Sequence, residues 1–356
     1  MQCEWPIRPT GKYKTIAIIL PNWVGDAVMA TPAIRSIRYS YPYAYIIGIG
    51  QPHIVYDLYS GTSWFDEIIT YSKTFIGKNG LFSTINKLTY HKIDIAILFP
   101  NSLRAAIIAY LSNSKHIIGF VRYYRSMYLH QKLYHYRYNS HLVPLPIILD
   151  YNRLAIAAGA ADPGIQMQLF TQKKYEEKVD NFWRQKKLHS YKYTIMFHPA
   201  AAFGQAKMWP VSHFALLARR IVQNIDAAVI ILHGPNELHI ACSIVEASRS
   251  NHIYYMNELS PPSLNLTKAL LRRASVLVTT DSGPRHIAAA LGRPVVALFG
   301  PTHISWTDTF YDKEIKLQVK YECGPCQRRE CVNYHHRCMH DLKPDQVFDA
   351  ILKLLK

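Results

Sequence analysis

"ASVLVTTDSGPRHIAAALGRPVVALFG", residues 274–300, is the stretch whose reading decides the fold. Its first apolar run is rich in β-branched residues and ends at Thr280, which reads as a buried strand. Asp281, Ser282 and Gly283 form a turn. Pro284 suits the first helical position, where its missing N–H costs nothing. The Ala-rich segment behind it is a good helix, and Gly292 suits its C-terminal stop. "PVVALFG" then reads as a second buried strand.

The same unit recurs in both directions. Towards the N-terminus, "KTIAIIL" (14–20), "AYIIGIG" (44–50), "IDIAILF" (93–99) and "HIIGF" (116–120) read as strands separated by amphipathic stretches. "ILDYNRLAIAAG" (148–159) reads as a helix ending at Gly159. The charged run "TQKKYEEKVDNFWRQKKLHSYK" (171–192) suits a surface helix and a domain boundary. The pattern then restarts with "YTIMFHP" (193–199) and "AAVIILHG" (227–234), each followed by a helix.

Strands alternating with helices imply parallel sheets and an α/β class. Two such series imply two Rossmann-like domains facing a central cleft, residues 1–185 and 186–340. The last segment, 341–356, reads as a helix capped by Asp341 or Pro344 that packs back on the first domain. Ligands of such sheets bind beyond the carboxyl ends of strands. The loops that follow strands are therefore the candidate sites.

Four loops carry polar groups there. In the opening stretch, Ser282, Gly283 and the free N–H groups at the helix start form an anion seat. The same residues also read as a capped core helix, and His286 as a satisfied core histidine. In "LPNWVGDAVMATPAIRSIR" (20–38), Asp26 reads as a helix cap or as a general base. Pro32 in this stretch means either a helix that begins near Thr31 or a kinked one. In "HPAAAFGQAKMWPVSHFALLARR" (198–220), Lys207 reads as a solvated lysine or as a phosphate partner. In "LHGPNELHIA" (232–241), Asn236 or Glu237 could meet a ribose, or only start a helix. "GIGQPH" (48–53) lacks the third glycine of a dinucleotide fingerprint and reads as a strand end.

Bulk properties narrow the choice. The chain has 356 residues, 49% of them hydrophobic, so it is a globular chain long enough for two cores. No window reaches the eighteen or so apolar residues of a membrane span. The first residues show no leader pattern, which gives a cytoplasmic expectation. The net charge of +17 attracts anionic partners: acidic or phosphorylated substrates, or anionic lipid. No aromatic-basic RNA module, finger spacing or repeat is present in the sequence, so no nucleic-acid partner is expected.

Four of the six cysteines, Cys323, Cys326, Cys331 and Cys338, lie close together, near His335, His336 and His340; Cys3 and Cys242 stand apart. The first pair has zinc-ligand spacing, while the second half matches no common finger. Reduced thiols in a loop are the favoured reading, and a structural metal is the alternative.

Taken together, "PNWVGDAVMATPAIRSIR", "HPAAAFGQAKMWPVSHFALLA", "TTDSGPRHIAAALGRPVVALFGPT", "NSLRAAIIAYLSNSKHIIGF" and "CGPCQRRECVNYHHRCMHDLKPDQV" resemble, in order, the lipopolysaccharide heptosyltransferases of glycosyltransferase family 9. The likeness spans nearly the whole chain. It implies a GT-B fold and inverting, metal-independent transfer of L-glycero-D-manno-heptose from ADP-heptose. ADP-heptose is then a substrate, and no cofactor is implied. The implied acceptor is the heptosyl-Kdo inner core on a Kdo-lipid A type lipopolysaccharide, met at the inner face of the inner membrane.

By the same resemblance Asp26 is the general base and Lys207 serves the donor phosphate and sugar. Asp281 meets the donor sugar, Ser282 and Gly283 form the phosphate turn, and His286 is the motif histidine. Glu237 matches a ribose contact loosely, and Arg104 and Arg125 fall on the acceptor side. Residues 1–13 and the Tyr/His-rich stretch 123–141 depart from the family pattern. A family 9 transferase with another sugar or acceptor, a nucleotide-sugar epimerase of the same fold, and a noncatalytic anion-binding protein remain the alternatives.

Overall fold

The computed structural model describes residues 12–356 except 73, 75–76, 78–79, 140, 257–258, 260 and 334. Cys3 and most of the N-terminal stretch read above lie outside the described residues. The chain forms two compact units. One runs to Leu169 and includes Ser305–Thr309; the other comprises Phe170–Ile304 and Phe310–Lys356.

In the first unit the strands are β1 (Thr15–Ile19), β2 (Tyr45–Gly50), β3 (Glu67–Thr70), β4 (Ile95–Leu98), β5 (His116–Phe120) and β6 (Gln131–Leu133). A small antiparallel ribbon, β7 (Arg137–Tyr138) and β8 (His141–Leu142), follows. The helices are α1 (Val24–Met29), α2 (Thr31–Ser40), α3 (Leu81–Thr89), α4 (Leu103–Leu111) and α5 (Ile147–Ala157). The strands pair in parallel in the order β3-β2-β1-β4-β5-β6. β1 and β4 are almost wholly apolar because helices cover both faces of a parallel sheet. Ile19, Ile47, Ala96 and Ile117 share one buried cluster with Ala105, Ile108 and Ala109 of α4.

The second unit repeats the plan. Its strands are β9 (Tyr193–His198), β10 (Ala227–Ile231), β11 (Ile253–Tyr255), β12 (Val276–Thr280), β13 (Val295–Phe299) and β14 (Glu314–Gln318). They form a parallel sheet in the order β11-β10-β9-β12-β13-β14. Its helices are α6 (Lys173–Gln185), α7 (Val211–Asn224), α8 (Leu238–Ser248), α9 (Leu264–Leu271), α10 (Gly283–Ala290), α11 (Arg337–His340) and α12 (Pro344–Leu354).

Three details differ from the sequence reading or decide between its alternatives. The division between units falls after Leu169, so α6 opens the second unit instead of closing the first. α12 starts with Pro344 in its first turn and buries Val347, Phe348 and Ile351 in the second unit's own core, packed on α7 and β13. Pro32 does not kink a helix: α1 stops at Met29, and α2 begins at Thr31 with Pro32 in its first turn. No helix among the described residues is long and apolar enough to cross a membrane.

In each sheet the strand order reverses once, between β1 and β4 and between β9 and β12. A parallel sheet opens a crevice at such a point, beyond the carboxyl ends of its strands. Each unit therefore presents its own polar loops there.

Candidate functional site

In the second unit the loops after β9 and β12 meet. β12 delivers Asp281 to the end of the sheet, and a 3₁₀ turn at Gln205–Lys207 delivers Lys207. The Lys207 ammonium donates to Asp281 Oδ2 at 2.6 Å and to the Asp281 carbonyl at 2.8 Å. Arg285, one helical turn along α10, donates to Asp281 Oδ1 at 3.1 Å, and Thr302 donates to Oδ2 at 2.9 Å. Arg285 also grips Glu314 through two donors, at 2.5 and 3.0 Å. The side chains of Arg285, Asp281 and Glu314 are almost entirely buried.

Burial alone would raise the Asp281 pKa, but the charges of Lys207 and Arg285 override it and hold the carboxyl far below its ordinary range. Both of its oxygens are occupied, and its affinity for a proton is low. It is a poor base and a firm anchor. His286 is buried behind it, and burial together with the Arg285 charge pushes its pKa down to about 3, so the ring is neutral. The expected pairing of Lys207 with the Asp281 loop is thus present as direct contact. Arg285 was missed, although a lone arginine inside an Ala-rich helix, four residues from Asp281, was a legible signal.

Ser282 stands at the N-cap of α10 but makes no capping bond. Its hydroxyl faces Thr279 Oγ1 at 3.1 Å and His198 Nδ1 at 3.5 Å. The first backbone N–H groups of α10 thus lack a side-chain cap, which leaves the helix start suited to an anion. Gly283 opens the helix beside it. Glu237 turns back on its own loop: Oε2 accepts the Gly234 N–H at 2.6 Å and lies 3.9 Å from His198 Nε2. Its local role is to close that turn.

The cysteine-rich segment braces the Lys207 loop. Ala206 donates its N–H to the Arg329 carbonyl at 3.0 Å, and its own carbonyl is 2.7 Å from His336 Nε2. Gly204, at φ +153°, passes so close to the Arg329 backbone that a Cβ would collide with it. Cys323, Cys326, Cys331 and Cys338 are free thiols lining one pocket of about 360 Å³. Burial and the three neighbouring thiols push Cys338 up to about 11. Among the described residues, no group of three or more His, Cys, Asp or Glu is arranged to hold a metal ion.

In the first unit, Asp26 lies in the first turn of α1, just beyond β1, and is partly exposed. Its charge is felt by Tyr59 and Tyr151, whose phenol pKa values are raised first by burial and then by Asp26. Arg104, at the start of α4, donates to the carbonyls of Ser72 and Thr74 at 2.7 and 2.9 Å. Arg125 is fully buried. It donates to the carbonyls of Phe120 (2.8 Å) and Pro100 and to Asn101 Oδ1 (3.1 Å), and burial lowers its pKa to about 10. Arg125 therefore ties the loop after β4 to the end of β5. An acceptor-binding role expected of it can only be indirect, through the loop it shapes.

Comparison with known proteins gives one consistent family. The sequence profile of glycosyltransferase family 9 (heptosyltransferase) matches residues 81–336. The chain is 28% identical over 346 residues to lipooligosaccharide heptosyltransferase 2 of Campylobacter jejuni, covering 96% of this chain and 98% of that protein. It is 26% identical over 348 residues to lipopolysaccharide heptosyltransferase 2 of Escherichia coli K12, at 96% and 98% coverage. Among solved structures it superposes on E. coli ADP-heptose LPS heptosyltransferase II with a TM-score of 0.75, at 24% identity, covering 96% of this chain and 98% of that one. A glycosyl transferase family 9 structure from Veillonella parvula superposes with a TM-score of 0.80, at 20% identity and 96% and 97% coverage.

Proposed function

The chain belongs to glycosyltransferase family 9, the heptosyltransferases, and we propose that it transfers heptose from ADP-heptose to the heptosyl-Kdo inner core of lipopolysaccharide. The observation that carries this reading is the Lys207–Asp281–Arg285 cluster at the end of β12, next to an uncapped helix start. It places a cation beside a helix start that no side chain caps, as a nucleotide diphosphate needs.

In this mechanism an acceptor hydroxyl attacks the anomeric carbon of the donor. Its proton passes to the Asp26 carboxylate, and the bond from the anomeric carbon to the phosphate oxygen breaks. ADP leaves with the electron pair. Two of the three Lys207 N–H groups are committed to Asp281; the third meets the leaving phosphate. Ser282, Gly283 and the start of α10 hold the same phosphate. Asp281 fixes Lys207 and meets the transferred sugar, and His286 fills the space behind it. Glu237 offers its remaining oxygen to the ribose. Arg104 serves the acceptor, and Arg125 serves it only by holding the loop after β4. The enzyme works at the cytoplasmic face of a membrane whose anionic lipids attract its positive charge.

ADP release tests the reaction class. Release that requires both ADP-heptose and a heptosyl-Kdo acceptor supports transfer. Conversion of ADP-heptose with no acceptor present supports an epimerase instead, and donor binding without turnover supports a noncatalytic protein.

A further inference from the structure

The edge of the first sheet carries a feature that the reaction does not use. Between Asp94 and Asp150 the sequence contains no acidic residue. Within that stretch, beyond β5, Tyr124 is 95% exposed, Met127 76% and Tyr138 74%, and Tyr123 is exposed as well. Lys132 and Arg137 are exposed among them. Tyr123 and Tyr124 are both held at positive φ, +50° and +59°, a region bulky side chains rarely occupy. The loop thus adopts an unfavourable backbone and shows two large rings to solvent.

The rings are not core residues that failed to pack. The base of the segment is fixed on its inner side. His135 Nδ1 lies 2.8 Å from Asp150 Oδ2, its ring stacks on Phe120 at 4.4 Å, and Arg153 donates to the Tyr134 carbonyl at 2.8 Å. Arg125 is buried beneath. On the outer side Tyr123, Tyr124, Met127, Lys132, Arg137 and Tyr138 are exposed to solvent.

We propose that this strip, Tyr123, Tyr124, Met127, Lys132, Arg137 and Tyr138, is the surface by which the chain lies on an anionic lipid bilayer. Tyrosine has an apolar ring and a polar tip, which suits the headgroup boundary, where such rings are enriched. Lysine and arginine beside it match anionic headgroups, and residues 95–149 add no carboxylate of their own to oppose them. A nucleic acid would use the same cations, but it gives no reason for an exposed methionine. The proposal rests on the reading that the acceptor is borne by a lipid; its test does not.

The test is flotation of the full chain with vesicles of phosphatidylcholine alone or mixed with phosphatidylglycerol, without donor. Two variants separate the parts: Tyr123→Asn with Tyr124→Asn, since asparagine tolerates positive φ, and Lys132→Glu with Arg137→Glu. Wild type is expected on the anionic vesicles only, and each variant should bind at least about tenfold less. Transfer to a deacylated, water-soluble acceptor should stay within about twofold for both variants, which also shows that they fold. Variants that bind anionic vesicles like wild type overturn the proposal. So does an equal loss of transfer to the soluble acceptor, which makes the strip an acceptor-sugar site. Loss of binding to an RNA oligonucleotide, with wild type ignoring vesicles, overturns it in favour of nucleic acid. If wild type transfers no heptose at all, the functional reading fails while the vesicle result still stands on its own.

Discussion

Asp26 and Asp281 are both carboxylates just beyond strand ends, and their surroundings differ. Asp281 is bonded by Lys207, Arg285 and Thr302, and the charges of Lys207 and Arg285 hold its carboxyl far below its ordinary range. Asp26 is partly exposed on the first turn of α1. Replacing Asp26 by Asn should cut kcat by about 10²–10⁴ and leave ADP affinity unchanged; an equal fall in ADP affinity would assign it to the donor. Arg285 joins two buried carboxylates, so Arg285→Met should cost about 3–5 kcal/mol in chemical denaturation. His286 gives a pH signature. Its folded pKa of about 3 lies below the ordinary 6.5. Above 6.5 the ring is neutral in both states. Between 6.5 and about 3 the unfolded chain binds a proton that the folded chain refuses. Stability should therefore fall on acidification through that window, by up to about 1.4 kcal/mol per pH unit. His286→Gln should flatten that part of the melting-temperature profile. At this scale the sequence was informative about which loops follow strands and uninformative about exposure. Lys207 and Asp281 were legible as neighbours in space because both follow strands of one sheet. The burial of Arg125 was not legible, because a basic residue in a loop looks the same in sequence whether it faces solvent or is buried on carbonyls.

At the scale of elements, the central strands were the legible part of the fold. β4 and β13 are wholly apolar and β1, β9 and β12 mostly so, as strands covered on both faces tend to be. β3, β6, β11 and β14 lie at or near sheet edges, are three to five residues long and mix polar with apolar side chains. Local pattern gives them little signal, and pairing with a neighbour supplies the rest. The partner of α12 was likewise invisible: its apolar face is plain, but the surface it covers is set by tertiary packing. Trp209, whose indole N–H donates to the Leu342 carbonyl at 2.8 Å, shows that this end of the chain belongs to the second core. Ile351→Ala should accordingly cost about 2–5 kcal/mol. The cysteine-rich segment braces the Lys207 loop through His336 and Arg329. His336→Leu should raise the KM for ADP-heptose severalfold with a smaller effect on melting temperature. An unchanged KM would mean that the loop holds its shape without that brace.

For the whole molecule, composition and topology converge. Two sheets with the same strand order account for a chain of 356 residues, and a net charge of +17 suits a substrate that is itself anionic and lipid-borne. Neither property chooses the sugar or the acceptor, because those depend on contacts that a charge total does not contain. The relatives named heptosyltransferase 2 share about a quarter of their residues with this chain over nearly its full length, so the proposed function turns on the acceptor. The most direct test incubates the full chain with ADP-heptose and lipopolysaccharide acceptors truncated at defined sugars, and reads the products by mass. The expected product is one added heptose on the mono-heptosyl Kdo core and none on the bare Kdo core. Addition to the bare Kdo core alone, or to neither, would contradict it.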